Sequence, residues 1–199
     1  MDFQVVMLCR VIVMIFPFTL ETMQMPNWCN NTVLLTHADP AKIQALKDAL
    51  SKDIFFDHIL PLGEWDYDKA IKTWGTKWEA SNLSWMQFDN KNQIEISFES
   101  AWGPPEEIYN AMVADGWTVE AYFFEPGMGF VGKYGTDPDG LYEDYYEMDD
   151  PIPAKLVDMF CIQDMYEDSD YELVDNGDGH YIVKERISDD NDTTQVEAE

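Results

Sequence analysis

The run Gln93-Ile94-Glu95-Ile96-Ser97-Phe98-Glu99 alternates strictly between apolar and polar side chains. Successive side chains of an extended chain point to opposite faces, so this pattern dictates a strand with one dry face and one wet face. Such a strand belongs to an antiparallel sheet covered on one side. Trp85, Met86 and Phe88, followed by the polar turn Asp89-Asn90-Lys91-Asn92, make it the second arm of a hairpin. Glu95 and Glu99 make the wet face acidic.

The segments around this hairpin carry helical and strand signals in a definite order. Thr32 to Leu35 reads as a strand within Cys29 to Thr36. Asp39 supplies an N-cap and Pro40 the first helical position, and Ile43, Leu46 and Leu50 recur at helical spacing. The apolar stretch Asp53 to Gly63 reads as a crossover whose Phe55, Phe56, Ile59 and Leu60 plug the core, with a short helical turn over Tyr67 to Thr73. After the hairpin, Pro104 and Pro105 start a helix with Glu106 and Glu107 in its first turn, Ile108, Met112 and Val113 facing inward, and Gly116 at its end. Trp117 to Phe124 is a further strand. The order strand, helix, hairpin, helix, strand predicts an α+β fold: a ferredoxin-like βαββαβ antiparallel sheet with two helices on one face.

Three aromatic and glycine-rich corners punctuate these elements: Trp74-Gly75-Thr76-Lys77-Trp78-Glu79-Ala80, read as the tight lead-in to a strand, Ala101-Trp102-Gly103-Pro104-Pro105, and Glu125-Pro126-Gly127-Met128-Gly129-Phe130. With Met25-Pro26-Asn27-Trp28-Cys29-Asn30-Asn31, these motifs resemble the YubB-type ferredoxin-like family of bacteriophages and conjugative plasmids. The resemblance covers roughly residues 25 to 135. It implies the fold and a mobile-element origin, and it implies that Met25 is the natural start; it brings no activity to any named residue.

Residues 1-24 form an apolar N-terminal extension. The run Phe3 to Leu20 lacks a preceding positive charge and contains Arg10 and Pro17, which argues against a signal peptide or membrane anchor. Residues 25-135 are expected to form the ferredoxin-like domain, and residues 136-187 a small acidic C-terminal extension. That extension holds a tyrosine-rich stretch, a helix with Leu156, Met159, Phe160 and Gln163 on one side, and a hairpin around Asn176-Gly177-Asp178-Gly179. Residues 188-199 read as a disordered acidic tail.

Charge narrows the function. The chain carries 39 acidic and 12 basic residues, a formal net charge of -27, and residues 137 to 199 alone hold 21 acidic against 3 basic side chains. Such a field repels phosphate backbones and anionic membranes and attracts basic partners. The expected partner is therefore a basic host or defence protein, met in the cytoplasm, with no direct nucleic-acid or membrane binding. Nucleic-acid mimicry is the sharp form of this expectation. The carboxylates of Glu143, Asp144, Glu147, Asp149 and Asp150 are the candidate contacts, with Tyr142, Tyr145 and Tyr146 as aromatic anchors.

Chemistry-bearing motifs are sparse. Cys9, Cys29 and Cys161 are odd in number and widely spaced, as buried thiols in a reducing compartment are. His37, His58 and His180 fall in different elements without metal-ligand spacing. Asp175 to Gly179 fits no EF-hand register and reads as a turn. Gly127, Gly129 and Gly132 lack the Lys-Ser/Thr of a phosphate loop. No catalytic residue, metal or cofactor is expected. The alternative is a small-ligand module or uncharacterised enzyme with a site at the corners, lined by Trp78, Trp102 and Glu125.

Overall fold

The computed structural model describes residues 27–137 and 140–186. The expectations for residues 1-24 and 188-199 lie outside the described residues.

Six strands form one antiparallel sheet in the order β2-β3-β1-β4-β5-β6. They are β1 (Trp28–Thr36), β2 (Ser81–Gln87), β3 (Gln93–Ala101), β4 (Thr118–Glu125), β5 (Phe130–Asp137) and β6 (Gly140–Glu147). The register places Val33 opposite Ile96 on one side and Ala121 on the other. Ile94, Ile96 and Phe98 are buried while their polar neighbours are half-exposed, as alternation demands.

Helices α1 (Pro40–Leu50), α2 (Phe56–Ile59), α3 (Tyr67–Trp74) and α4 (Glu106–Ala114) belong to the layer over the dry face. Asp39 caps α1 by accepting the Ala41 N–H at 2.8 Å, which satisfies one of the donors a helix start leaves open. Ile43, Leu46 and Leu50 of α1, Trp74 of α3 and Ile108, Tyr109 and Met112 of α4 share a continuous core with Val33, Ile96, Val119 and Phe123. Phe55 and Phe56 are fully buried and meet Phe98 edge-on at 5.4 and 5.5 Å. Ile59 and Leu60 pack against this core only in part. Ile108 and Met112 face inward as expected and Val113 packs against the core in part; Tyr109 joins them, its hydroxyl meeting a buried partner.

Two features of the main sheet and its helix layer depart from the sequence reading. Trp74 closes helix α3 instead of leading into a strand, and Gly75 ends the helix in the left-handed conformation (φ 76°) that glycine adopts without penalty. The second concerns β5 and β6. These strands extend the main sheet beyond the expected four, and the expected boundary after residue 135 falls inside β5.

The C-terminal residues cover the other face of the sheet at β4 and β5. Here β7 (Ile152–Pro153), α5 (Ala154–Met159), a 3-10 turn (Ile162–Tyr166), β8 (Tyr171–Asp175) and β9 (His180–Glu185) build a second core. In it Ile152, Leu156, Val157, Ile162 and Leu173 pack on Tyr122, Phe124 and Val131. The inward side of α5 is Leu156 and Val157; Met159 and Gln163, expected there, are exposed. β4 is thus covered on both faces, which explains why its alternation is only partial. Among the described residues, no helix is long and apolar enough to cross a membrane.

Candidate functional site

The corners converge at one end of the sheet because β1 begins there while β3 and β4 end there. Thr76 ties the first corner to the end of β3: its hydroxyl donates to Ala101 O at 3.0 Å and accepts the Ala101 N–H at 3.1 Å. The Trp102 N–H donates to Asn27 O at 2.8 Å, and the Ser100 hydroxyl to Gly103 O at 2.6 Å. These bonds hold Trp102 at φ 69°, an uncommon conformation for a bulky residue, with 42 % of its surface exposed.

Lys77 is the centre of this corner. Its ammonium lies 4.3 Å from the Trp78 ring centroid and 5.7 Å from those of Trp102 and Tyr67. The Trp65 indole N–H donates to Lys77 O at 3.1 Å, and Trp28 packs on Trp78 at 5.9 Å. A cation over aromatic faces gains from the ring quadrupoles, so the arrangement is self-supporting. Trp65 and Tyr67 also expose large surfaces. The structure therefore brings Trp78 and Trp102 together around Lys77, a residue that was read only as part of the corner.

Glu125 has a different place. It is fully buried, and its carboxylate accepts the backbone N–H groups of Gly127, at 2.9 Å, and Met128. Those bonds shape the β4–β5 turn, so this carboxylate is committed to backbone. Beside it, Cys29 is fully buried and its thiol is pushed far up, first by burial and then by the charge of Glu125. A thiol held protonated is a poor nucleophile. Asn31 crosses the same interior, donating to Cys29 O and the Ser100 hydroxyl, each at 2.8 Å, and accepting from the Tyr109 hydroxyl at 3.0 Å.

The acidic candidates lie on or beside β6, the edge of the sheet. Glu143, Tyr145 and Glu147 alternate with Tyr142, Asp144 and Tyr146, so the two sets lie on opposite faces. Glu143 and Glu147 are exposed, and Tyr145 is 51 % exposed with its ring stacked on Phe130 at 5.0 Å. Asp149 and Asp150 are exposed, and the Asp150 carboxylate accepts the Glu147 N–H at 2.9 Å. On the second face, Asp144 pairs with Lys133 at 2.8 Å, and Tyr146 packs half-buried against the second core. Of Tyr142 only the backbone is described, opposite Gly135 in β5.

Sequence reading missed a carboxylate neighbour of this edge. Glu106, in the first turn of α4, is held above the usual carboxylate range, first by burial and then by Glu143 and Glu107, with a side-chain hydrogen bond between Glu106 and Glu143. Nothing in the sequence signals this pair, because it needs α4 and β6 to be neighbours. Like charges so close disfavour double ionisation.

Other candidates find ordinary roles. His37 accepts the Asp39 N–H through Nδ1 at 2.9 Å and packs on Trp117 at 4.9 Å. His58 borders a cavity of about 350 Å³ with Lys42 and Asp115, and burial together with Lys42 holds its pKa below the usual value. His180 pairs with Asp178 in the C-terminal hairpin. Among the described residues, no group of three His, Cys, Asp or Glu side chains is placed to hold a metal. Cys161 is exposed rather than buried as expected, because it sits between α5 and the 3-10 turn with φ 50°.

The fold and edge define an α+β protein with an acidic, antiparallel sheet margin. Neither a family model nor a curated protein matches the chain. A crystal structure of a protein api92 from Yersinia pseudotuberculosis, described with the family-model DUF1281, is similar to part of it at 25 % identity and a TM-score of 0.35. That similarity covers 41 % of this chain and 29 % of the other.

Proposed function

We propose that this chain is a non-enzymatic interaction protein of a phage or plasmid. Its acidic sheet margin docks a basic, nucleic-acid-binding host or defence protein in the host cytoplasm and inhibits or modulates it. The sheet order β2-β3-β1-β4 with helices between β1 and β2 and between β3 and β4 supports a ferredoxin-like reading of residues 28 to 125. The mobile-element origin leans on the four ordered sequence motifs.

The observation that carries the partner class is the set of exposed carboxylates on and beside β6: Glu143, Glu147, Asp149 and Asp150. Glu106 adds a carboxyl whose pKa is raised first by burial and then by Glu143 and Glu107, and a partner's Lys or Arg would favour its ionised form. Tyr145 adds exposed aromatic area between Glu143 and Glu147. Along β6 the same-face carboxylates Glu143 and Glu147 are four residues, about 13 Å, apart, about twice the roughly 6 to 7 Å between neighbouring phosphates of a duplex strand, so strand spacing favours a basic docking patch over close phosphate mimicry.

The test is binding of an octa-arginine peptide, with duplex DNA as competitor, at low and high salt. Glu143→Lys/Glu147→Lys is compared with Glu64→Lys/Asp89→Lys, which changes net charge equally at exposed sites away from β6. The edge variant is expected to lose at least about tenfold more affinity than the control, as charge-assisted contacts of 1.5–3 kcal/mol dictate. Equal losses from both variants mean that bulk charge alone acts, and the reading falls.

A second reading is favoured by Trp102. A bulky residue held at positive φ with its ring exposed beside Lys77 suits an aromatic platform for a small planar ligand better than it suits packing. Tryptophan fluorescence on titration with planar ligands separates it from the first.

A further inference from the structure

A groove of about 390 Å³ opens on the sheet face opposite the helix layer. The C-terminal residues cover β4 and β5 but stop short of β1, β3 and β2, and the groove lies at that step. Its floor follows from register and pleat. Asn30 of β1 lies opposite Glu99 of β3, and Thr32 opposite Ser97, all four on the same face. The Thr32 and Ser97 hydroxyls are 3.5 Å apart. Asn82, at an irregularity in the β2–β3 pairing, donates to one oxygen of Glu99 at 2.6 Å.

The floor is rich in acceptors and poor in positive charge. The Glu99 carboxylate, the Asn30 and Asn82 carboxamides and the Thr32 and Ser97 hydroxyls line it, and no Lys or Arg does; Asn31 borders it while its carboxamide bonds into the core. The Asn30 carboxamide makes no hydrogen bond to another described residue, and only one Glu99 oxygen is engaged by Asn82. The wall is apolar: Phe160 packs on Phe124 at 5.7 Å, and Met159 continues it. Asn82 (φ 49°) and Cys161 (φ 50°) both border the groove in left-handed conformations, ordinary for asparagine but uncommon for cysteine. Strain of this kind gathers where structure positions groups for a ligand.

We infer that this groove binds the guanidinium group of an arginine side chain. A guanidinium is planar, permanently charged and offers five donors, so it satisfies Glu99, Asn30 and the Thr32–Ser97 hydroxyls together. Its faces are weakly hydrated and stack on aromatic rings, which suits the Phe160 wall. A lysine ammonium matches the charge but has neither plane nor fork. A neutral sugar can donate hydroxyls to the carboxylate but, unlike a cation, gains nothing from the overall negative field, and an anion is repelled by both. The groove lies away from β6, so the inference stands apart from the reading of the acidic margin.

Cys161 borders the groove and is exposed, whereas Cys29 is fully buried. The full chain carrying Cys9→Ser therefore reports on the groove through the rate at which N-ethylmaleimide modifies Cys161. Nα-acetyl-argininamide is expected to slow modification saturably, while the lysine and citrulline counterparts and glucose leave the rate within about twofold. Glu99→Gln is expected to weaken that protection at least about tenfold, measured against the variant's own unliganded rate, as loss of a charged hydrogen bond does. Asn30→Leu is the second variant, with the same loss expected.

Protection by lysine or citrulline equal to that by arginine overturns the inference. So does protection by glucose alone, protection that survives both substitutions, or no protection at all. None of these outcomes bears on the β6 charge-reversal comparison, whose failure in turn leaves the groove result intact.

Discussion

Glu106 of α4 and Glu143 of β6, distant in sequence, share a side-chain hydrogen bond at the edge of the sheet, and burial first, then Glu143 and Glu107, raise the Glu106 pKa. A carboxyl whose folded pKa lies above its unfolded value costs stability above the folded pKa, because the unfolded chain ionises there more readily. The cost disappears as pH falls through the folded pKa. Glu106→Gln is therefore expected to raise the urea midpoint at pH 7, with the gain vanishing near pH 4, where both states are largely protonated. A midpoint that falls at pH 7, or a gain that persists at pH 4, counts against a raised Glu106 pKa.

The Tyr109 hydroxyl is the donor to Asn31 Oδ1 within the core. Tyr109→Phe leaves that oxygen without this donor and is expected to cost about 1–3 kcal/mol. Equilibrium denaturation with an unchanged m-value checks it. A change below about 0.5 kcal/mol would place the worth of this network elsewhere.

Gly132 is needed for space. A Cβ there would meet Asp144 O at 2.4 Å and the Phe123 ring at 2.5 Å. One of these is backbone of the adjacent strand, so the clash moves β6 instead of a flexible side chain. Gly132→Ala is expected to cost about 2–3 kcal/mol, the upper range of overpacking, and to raise amide exchange in β6 before the rest of the sheet. Uniform exchange across the sheet would show that β6 does not move on its own.

Lys77→Gln removes the cation shared by Trp78, Trp102 and Tyr67. The expected stability loss is about 0.5–1 kcal/mol, typical of an exposed cation–π contact, accompanied by a shift in tryptophan emission as the environment of Trp78 and Trp102 changes. An unchanged emission spectrum would mean that the ammonium does not rest on these rings in solution.

Local chemistry made much of this molecule legible. Alternation at Gln93–Glu99 marked β3, Asp39-Pro40 marked the start of α1, and Asn176-Gly177 marked the C-terminal hairpin. β5 escaped notice because Gly132 and Gly135 interrupt its pattern; close packing of Phe123 and β6 requires the first of them. Trp74 was misplaced because the left-handed Gly75 reverses the chain just where a strand was expected.

Sequence by itself determined the kinds of elements, the surplus of negative charge and the residue types available at each corner, since propensity, patterning and ionisation are properties of short stretches. Tertiary structure alone decided which of those residues became neighbours: Glu106 with Glu143, Asn30 with Glu99, and Lys77 with three aromatic rings. Strand order and register set those pairings, because a shift of one residue would send every side chain to the opposite face.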